Sequence, residues 1–530
     1  MTKRTMWWRI SATALVLALL GFQHYRKEHQ STVVDTASMP AMATQTSPAG
    51  ALLAPSKPRT WKLGSLTLST CQLKQPNSGL STPAWCTLFP VPENRADPHS
   101  RIIKLKLAVL RSRAQVTSQD MLVFLAGGPG QAATESAGTV AMTLKPLLAH
   151  RHVLLLDQRG TGGSNALTCK SGADDTPVDG DGDGLDADNM RHDAVDCARQ
   201  LSDHADPRYY TTTIAIQDLE DVRKALGSPP FDLVGVSYGT RVAQQYLMHY
   251  PDAVRSVVLD SVVPNTLALG EDFARNLDDA LKAQFARCTA QPACEKQFGD
   301  PGQTLYQLRD ALRANPHGVS FRDPQTYQTV KRVLNENALA GVVRMFAYTP
   351  QTAALLPLSI DAAAHGDVGP LLGQARILAG DLAELAGSGM QYSVICSEDA
   401  DLLTPRSQDA HTIMGTHMID AFKAVCSVWP KGTRPLDFHQ AIESSKPVLL
   451  LAGQYDPVTP PPYAEEVAKG LSDSRVLVLK GQAHSVMSAG CAPQLIQRFV
   501  EKLDPKTLDA SCLDRLQPTP IFIDFNGSTP

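Results

Sequence analysis

The chain has 530 residues, 43% of them apolar and 19% charged, which is the composition of a globular protein too long for one small core. Its formal net charge is -4, so it carries no polyanion-binding signature and nucleic acid is not an expected partner. An enlarged catalytic domain or two lobes is expected instead.

The chain opens as a targeting segment. Lys3, Arg4 and Arg9 form a positive region, and Ile10 to Phe22 form an uncharged, largely apolar run. That run is short for a spanning helix and suits a signal-peptide core, so residues 1–22 read as a leader. The nearest small-residue cleavage pattern, Ala41-Met42-Ala43, lies far downstream, which keeps an uncleaved anchor open. Residues 23–60 are rich in Ser, Thr, Ala and Pro without periodicity and read as a tether. Export agrees with the cysteines. There are ten, and they fall in sequence as Cys71/Cys86, Cys169/Cys197, Cys288/Cys294, Cys396/Cys426 and Cys491/Cys512. Nearest-neighbour disulfides are expected.

Strands begin near Trp61, with Leu63–Leu68 and then Arg101–Leu110. Short apolar runs follow, separated by helical stretches: Met121–Leu125, His152–Leu156, Phe231–Val234, Val254–Leu259, Val448–Leu451 and Arg475–Leu479. Continuous apolar strands alternating with helices predict a mostly parallel sheet with helices on both faces. The strand rhythm stops after Pro264 and resumes at Pro447. Between them Asp272–Cys288, Gln303–Ala314 and Asn335–Ala347 show helical pattern. The expected organisation is core over 61–265, an inserted helical cap over 266–395, core again over 396–503 and a C-terminal extension over 504–530. The acidic stretch Asp179–Gly184 resembles the start of a calcium loop, but the twelfth position, which needs an acidic ligand, is Met190. It reads as a solvated insertion, and no metal site is expected.

The chemistry centres on Gly235-Val236-Ser237-Tyr238-Gly239, between an apolar run and a helical segment, Thr240 to Tyr250. In strand–turn–helix context G-x-S-x-G is a nucleophile elbow that exposes the serine hydroxyl. A serine nucleophile needs a base, a carboxylate to orient the base, and donors for the oxyanion. His484, in the loop after Arg475–Leu479, is the candidate base. Asp456, after Val448–Leu451, is the candidate acid, and Asp260 at the preceding strand end is its rival. The backbone N–H groups of Gly128, in Ala126-Gly127-Gly128-Pro129-Gly130, and of Tyr238 are the candidate oxyanion hole. Asp157 and Arg159, in Asp157-Gln158-Arg159-Gly160-Thr161-Gly162-Gly163-Ser164, read as organisers of the neighbouring loop, with a substrate contact as the alternative.

These motifs together resemble the prolyl and secreted tripeptidyl aminopeptidases of the α/β-hydrolase fold. That group writes its hole loop HGGPG, the next strand end DQRGxGxS and its elbow GxSxG. This chain has AGGPG, DQRGTGGS and GVSYG, in order, over about Trp61 to Leu503. Ala126 stands where the histidine is usual, and Tyr238 where strict prolyl aminopeptidases carry tryptophan. The resemblance implies a Ser237–His484–Asp456 triad, hole donors at Gly128 and Tyr238, no cofactor, small peptide substrates and a C-terminal extension around Cys491–Cys512. An aminopeptidase binds a free ammonium, and buried carboxylates do this. Glu398 and Asp399 are the substrate-binding candidates, with a helix-opening capping pair as the alternative; Glu271 and Asp272 are weaker candidates. The leading expectation is an exported serine aminopeptidase. An esterase on the same triad and a non-catalytic binding protein are the competing readings.

Overall fold

The computed structural model describes residues 58–76, 79–169, 186–382 and 389–527. The leader, the tether up to residue 57 and the acidic stretch Asp179–Gly184 lie outside the described residues. Among the described residues no helix is long and apolar enough to cross a membrane.

A ten-stranded sheet organises the chain in the order β1-β2-β3-β4-β6-β5-β7-β8-β11-β12. Strands β1 (Thr60–Leu63), β2 (Leu66–Lys74), β3 (Ser81–Pro92) and β4 (Ile102–Leu110) form an antiparallel meander. Strand β4 pairs antiparallel with β6 (His152–Leu156). From β6 onward β5 (Met121–Leu125), β7 (Phe231–Val236), β8 (Val254–Asp260), β11 (Val448–Gly453) and β12 (Ser474–Leu479) run parallel. The parallel strands are apolar on both faces, and alternate residues feed two cores. Val123, Leu154, Leu233, Val257 and Leu450 join one cluster, while Leu122, Val153, Val234, Val258 and Leu449 join the other. A parallel sheet buried on both sides demands this, because successive side chains point to opposite faces.

The first strands differ from the sequence expectation. Leu63–Leu68 is not one strand but a turn between β1 and β2 at Gly64, which has φ 60°. A Cβ there would lie 2.3 Å from the carbonyl oxygen of Ala225, so only glycine fits. Strand β3 was not read from the sequence at all.

Between β8 and β11 the chain leaves the sheet. It builds the helices Phe273–Thr289, Pro292–Phe298, Pro301–Ala314, Glu336–Ala347, Leu356–Ala364, Gly369–Leu382, Gly389–Glu398 and His417–Val428, and one hairpin of β9 (His317–Arg322) and β10 (Thr329–Leu334). The helix starts follow capping rules: the side chains of Asp300 and Asn335 accept backbone N–H groups one turn ahead. The C-terminal segment straps the sheet end of the molecule to this insertion. Pro518 packs against Gly481, Arg287 donates to Thr519 O at 2.7 Å, Phe522 N donates to Ala354 O at 3.1 Å, and Ile521 packs with Phe298 and Leu358.

All ten cysteines are paired as sequential neighbours: Cys71–Cys86, Cys169–Cys197, Cys288–Cys294, Cys396–Cys426 and Cys491–Cys512. Cys396–Cys426 closes a separation of 30 residues and ties helix Gly389–Glu398 to helix His417–Val428. Replacing both cysteines by serine is expected to cost about 2–4 kcal/mol, through the freed unfolded chain, read as a lower urea midpoint at unchanged slope.

Candidate active site

The sheet delivers its candidate residues at the carboxyl ends of β5, β7, β8, β11 and β12. Ser237 joins β7 to helix Tyr238–His249 with φ 54° and ψ -124°, outside the regions that L-residues favour. The joint is too tight for side chains on its flanks. A Cβ on Gly235 would meet Gly239 O at 2.5 Å, and one on Gly239 would meet Leu125 O at 2.1 Å. The turn therefore projects the Ser237 side chain out of the sheet end, and the residue stays partly exposed.

The loop after β5 lies directly against it. A Cβ on Gly127 would sit 3.1 Å from Ser237 Cβ and 3.7 Å from its Oγ. Gly128 follows with φ 106°. Tyr238 is the first helical residue, so its N–H has no intrahelical acceptor. Among the described residues neither the Gly128 nor the Tyr238 backbone N–H donates to an internal acceptor. Both donors remain available to an anion beside Ser237, where the helix N-terminus adds its dipole.

Asp456 and His484 meet across the ends of β11 and β12. His484 Nδ1 lies 2.8 Å and 3.0 Å from the two carboxylate oxygens of Asp456. A carboxylate only accepts, so Nδ1 carries the proton and Nε2 presents a lone pair. Asp456 is held by three further donors: Val458 N at 2.9 Å, Thr459 N at 2.8 Å and Thr459 Oγ1 at 2.8 Å. Burial alone would raise its pKa, but the His484 charge and these hydrogen bonds hold it below the usual carboxylate range. Burial would lower the His484 pKa, but the Asp456 charge and hydrogen bond, with help from Asp260, raise it above the ordinary imidazole value. Among the described residues no hydrogen bond joins Ser237 Oγ to His484; such contacts commonly close only when substrate binds.

Asp260, the rival acid, has another task. Its buried carboxylate accepts from Val486 N at 2.9 Å and Met487 N at 2.8 Å, in the loop that carries His484. Its backbone oxygen accepts Ser237 N at 2.9 Å, and the neighbouring Ser261 Oγ accepts Ser485 N at 2.8 Å. One strand end thus fastens nucleophile and base together. Burial pushes the Asp260 pKa up to about 6 against the two backbone hydrogen bonds.

Asp157 and Arg159 are both fully buried and are engaged within the protein. Asp157 accepts from Thr134 N, Thr134 Oγ1 and Gly163 N, at 2.8 to 3.0 Å. Arg159 binds both oxygens of Asp218, at 2.6 and 2.8 Å, and the backbone oxygens of Glu93 and Tyr209.

Glu398 and Asp399, the substrate-binding candidates, are each engaged by protein groups. Both are fully buried, and they close helix Gly389–Glu398 rather than open one. Asp399 places both oxygens 3.0 Å from Arg241 Nη1, on the helix that follows Ser237. Glu398 accepts from Thr212 N at 2.5 Å and Thr212 Oγ1 at 2.9 Å. The hydrogen-bond chain continues as Tyr238 OH donates to Thr212 Oγ1 at 2.6 Å and Gln158 Nε2 donates to Tyr238 OH at 3.1 Å. Gln158 and Tyr238, not Glu398, line the small cleft beside Ala126, Gly127 and Gln131. Asp272 is likewise engaged, by Arg406 at 2.7 Å and Tyr463 OH at 2.9 Å. Glu271, 37% exposed, is paired with the same Arg406 at 3.7 Å.

Sequence reasoning missed Thr459 and the insertion's grip on the site. Asn276 donates to Val458 O at 2.9 Å, steadying the Asp456 loop. Tyr348 accepts His484 N–H on its backbone oxygen at 3.1 Å, and its ring stands edge-on to the imidazole at 5.3 Å. The Asp-x-x-Thr spacing, a common side-chain turn, could have flagged Thr459; nothing local flags Tyr348.

The α/β-hydrolase fold family matches residues 120–488. The chain belongs to that family. It is 25% identical over 461 residues to the serine protease Hip1 of Mycobacterium tuberculosis, covering 81% of this chain and 87% of that one. It is 23% identical over 483 residues to a tripeptidyl aminopeptidase of Streptomyces lividans, covering 83% and 86%. Among solved structures, the proline iminopeptidase of Mycobacterium smegmatis aligns with a TM-score of 0.37 and 16% identity, over 78% of this chain and 98% of that one. The protein is thus an α/β-hydrolase whose similar proteins include peptidases.

Two outcomes are expected. Asp456→Asn removes the main charge that raises the His484 pKa, so the acid limb of kcat/KM moves to lower pH. The same change disturbs the tautomer, and kcat falls by roughly 10⁴. Asp260→Asn moves the limb the same way by less; pH–rate profiles of both variants check this. Glu398 has its pKa pushed up to about 8 by burial and by the Asp399 charge. A raised acid is protonated in the fold at pH values where the unfolded chain has released its proton. Its contribution is full below the ordinary glutamate range and is lost as pH rises to about 8. Glu398→Gln should therefore flatten the decline in stability over that window, measured by urea unfolding at several pH values.

Proposed function

We propose that the protein is an exported serine aminopeptidase that releases residues, in a proline-type or tripeptide register, from free peptide N-termini. The observation that carries this reading is the Asp456–His484 pair and the Ser237 elbow, both tied to the end of β8 at Asp260, with Gly128 and Tyr238 backbone N–H groups that make no hydrogen bond among the described residues. Ser237 Oγ attacks the scissile carbonyl as His484 Nε2 takes its proton. The amides of Gly128 and Tyr238 receive the oxyanion, and His484 returns the proton to the leaving amine. Asp456 keeps the imidazole in the required tautomer throughout, and water then releases the acyl group by the same route. The names of the similar proteins favour peptides over esters, and five disulfides favour export.

The test is a panel of Pro-, Ala- and Ala-Ala-Pro-type anilides, each with free and acetylated N-termini, plus a short-chain nitrophenyl ester. The expected outcome is Ser237-dependent cleavage of free-amine anilides only, reduced at least tenfold by Ser237→Ala, with the best anilide setting the register. Cleavage of the ester alone, indifferent to the amine, would replace the peptidase reading with an esterase.

A further inference from the structure

We infer that Arg344 binds a carboxylate on the leaving-group side of the substrate. This rests on Ser237 and His484 performing acyl transfer as proposed above.

Arg344 lies on helix Glu336–Ala347 and is partly exposed. Its guanidinium is stacked in place, 4.6 Å from the ring centroid of Phe273 and 5.9 Å from that of Tyr348. Nη2 donates to Tyr348 OH at 3.3 Å. Nε and Nη1 make no hydrogen bond among the described residues, and neither is a buried orphan. Neighbouring arginines of the insertion are charge-paired: Arg275 and Arg406 with Asp272, Arg309 with Asp310, Arg313 with Glu336, Arg376 with Asp323. Arg344 has no carboxylate partner among the described residues. A guanidinium fixed by aromatic rings with its fork open is pre-organised for a planar anion.

Its position names the part of the substrate. Tyr348, which Arg344 stacks on, touches the His484 ring and holds its backbone N–H. His484 delivers a proton to the leaving amine, so the leaving group passes over His484 toward Tyr348 and Arg344. The charged groups acting on His484 are Asp456, Asp260 and Arg344, and the guanidinium opposes the two carboxylates. A substrate carboxylate would neutralise it. The anion is the terminal carboxylate of a short peptide or an acidic side chain just beyond the scissile bond.

The experiment compares peptides that differ only after the scissile bond: free acid against C-terminal amide, and Glu against Gln with the terminus amidated. Wild type is expected to favour the anionic member of one pair by roughly tenfold to hundredfold in kcat/KM. Which pair responds identifies the source of the carboxylate. Arg344→Gln should collapse that ratio toward one, and Arg344→Lys should retain part of it. No preference in either pair, or a preference that survives Arg344→Gln, overturns the inference. Neutral anilides run alongside, so failure of the peptidase reading shows separately. If nothing is cleaved, the anionic peptides are tested for protecting Ser237 from a fluorophosphonate. Protection lost in Arg344→Gln supports the carboxylate site, and no protection in wild type overturns it.

Discussion

A buried carboxylate must find donors, and the candidate site is arranged around the donors that Asp260 and Asp456 collect. Asp260 ends β8 with its side chain on the N–H groups of Val486 and Met487 and its backbone oxygen on Ser237 N. Asp456 ends β11 inside a turn that supplies Val458 N, Thr459 N and Thr459 Oγ1. Between them they fix where the imidazole of His484 can lie. The parallel sheet makes this possible, because strands running the same way present all their carboxyl ends at one edge.

Around this edge the charged residues divide by task. Asp157, Arg159, Arg241, Glu398 and Asp399 are fully buried and join loops and helices to one another. Arg241–Asp399 and Glu398–Thr212 hold the helices on either side of the elbow. Such groups cannot meet a substrate without losing the partners that offset their desolvation. Arg344, partly exposed and without a carboxylate partner among the described residues, belongs to the inserted region.

Much of the sheet was legible in the sequence because a strand buried on both faces has to be apolar throughout. Met121–Leu125 and His152–Leu156 were read to the residue. Strand β3 escaped because Pro83, Pro90 and Pro92 argue against a strand. The β9–β10 hairpin escaped because its residues are mostly exposed and show little apolar alternation. The partners of Glu398 were not legible for a different reason. A charged residue in sequence carries no mark of burial, and its partner Thr212 lies 186 positions away.

By itself the sequence determined the elbow and its glycines, the loops that bring Gly128, Asp456 and His484, and the order of the cysteines. Those features are local: a tight turn excludes side chains, and a buried strand excludes polar ones. Tertiary structure decided which carboxylate faces the imidazole, since Asp456 and Asp260 both end neighbouring strands and only packing assigns their donors. It also decided that Glu398 and Asp399 are internal struts, that Tyr348 leans on His484, and that Arg344 stands there without a counter-ion. Each of these depends on contacts between distant segments, and a burial or a missing partner has no local signature in a chain.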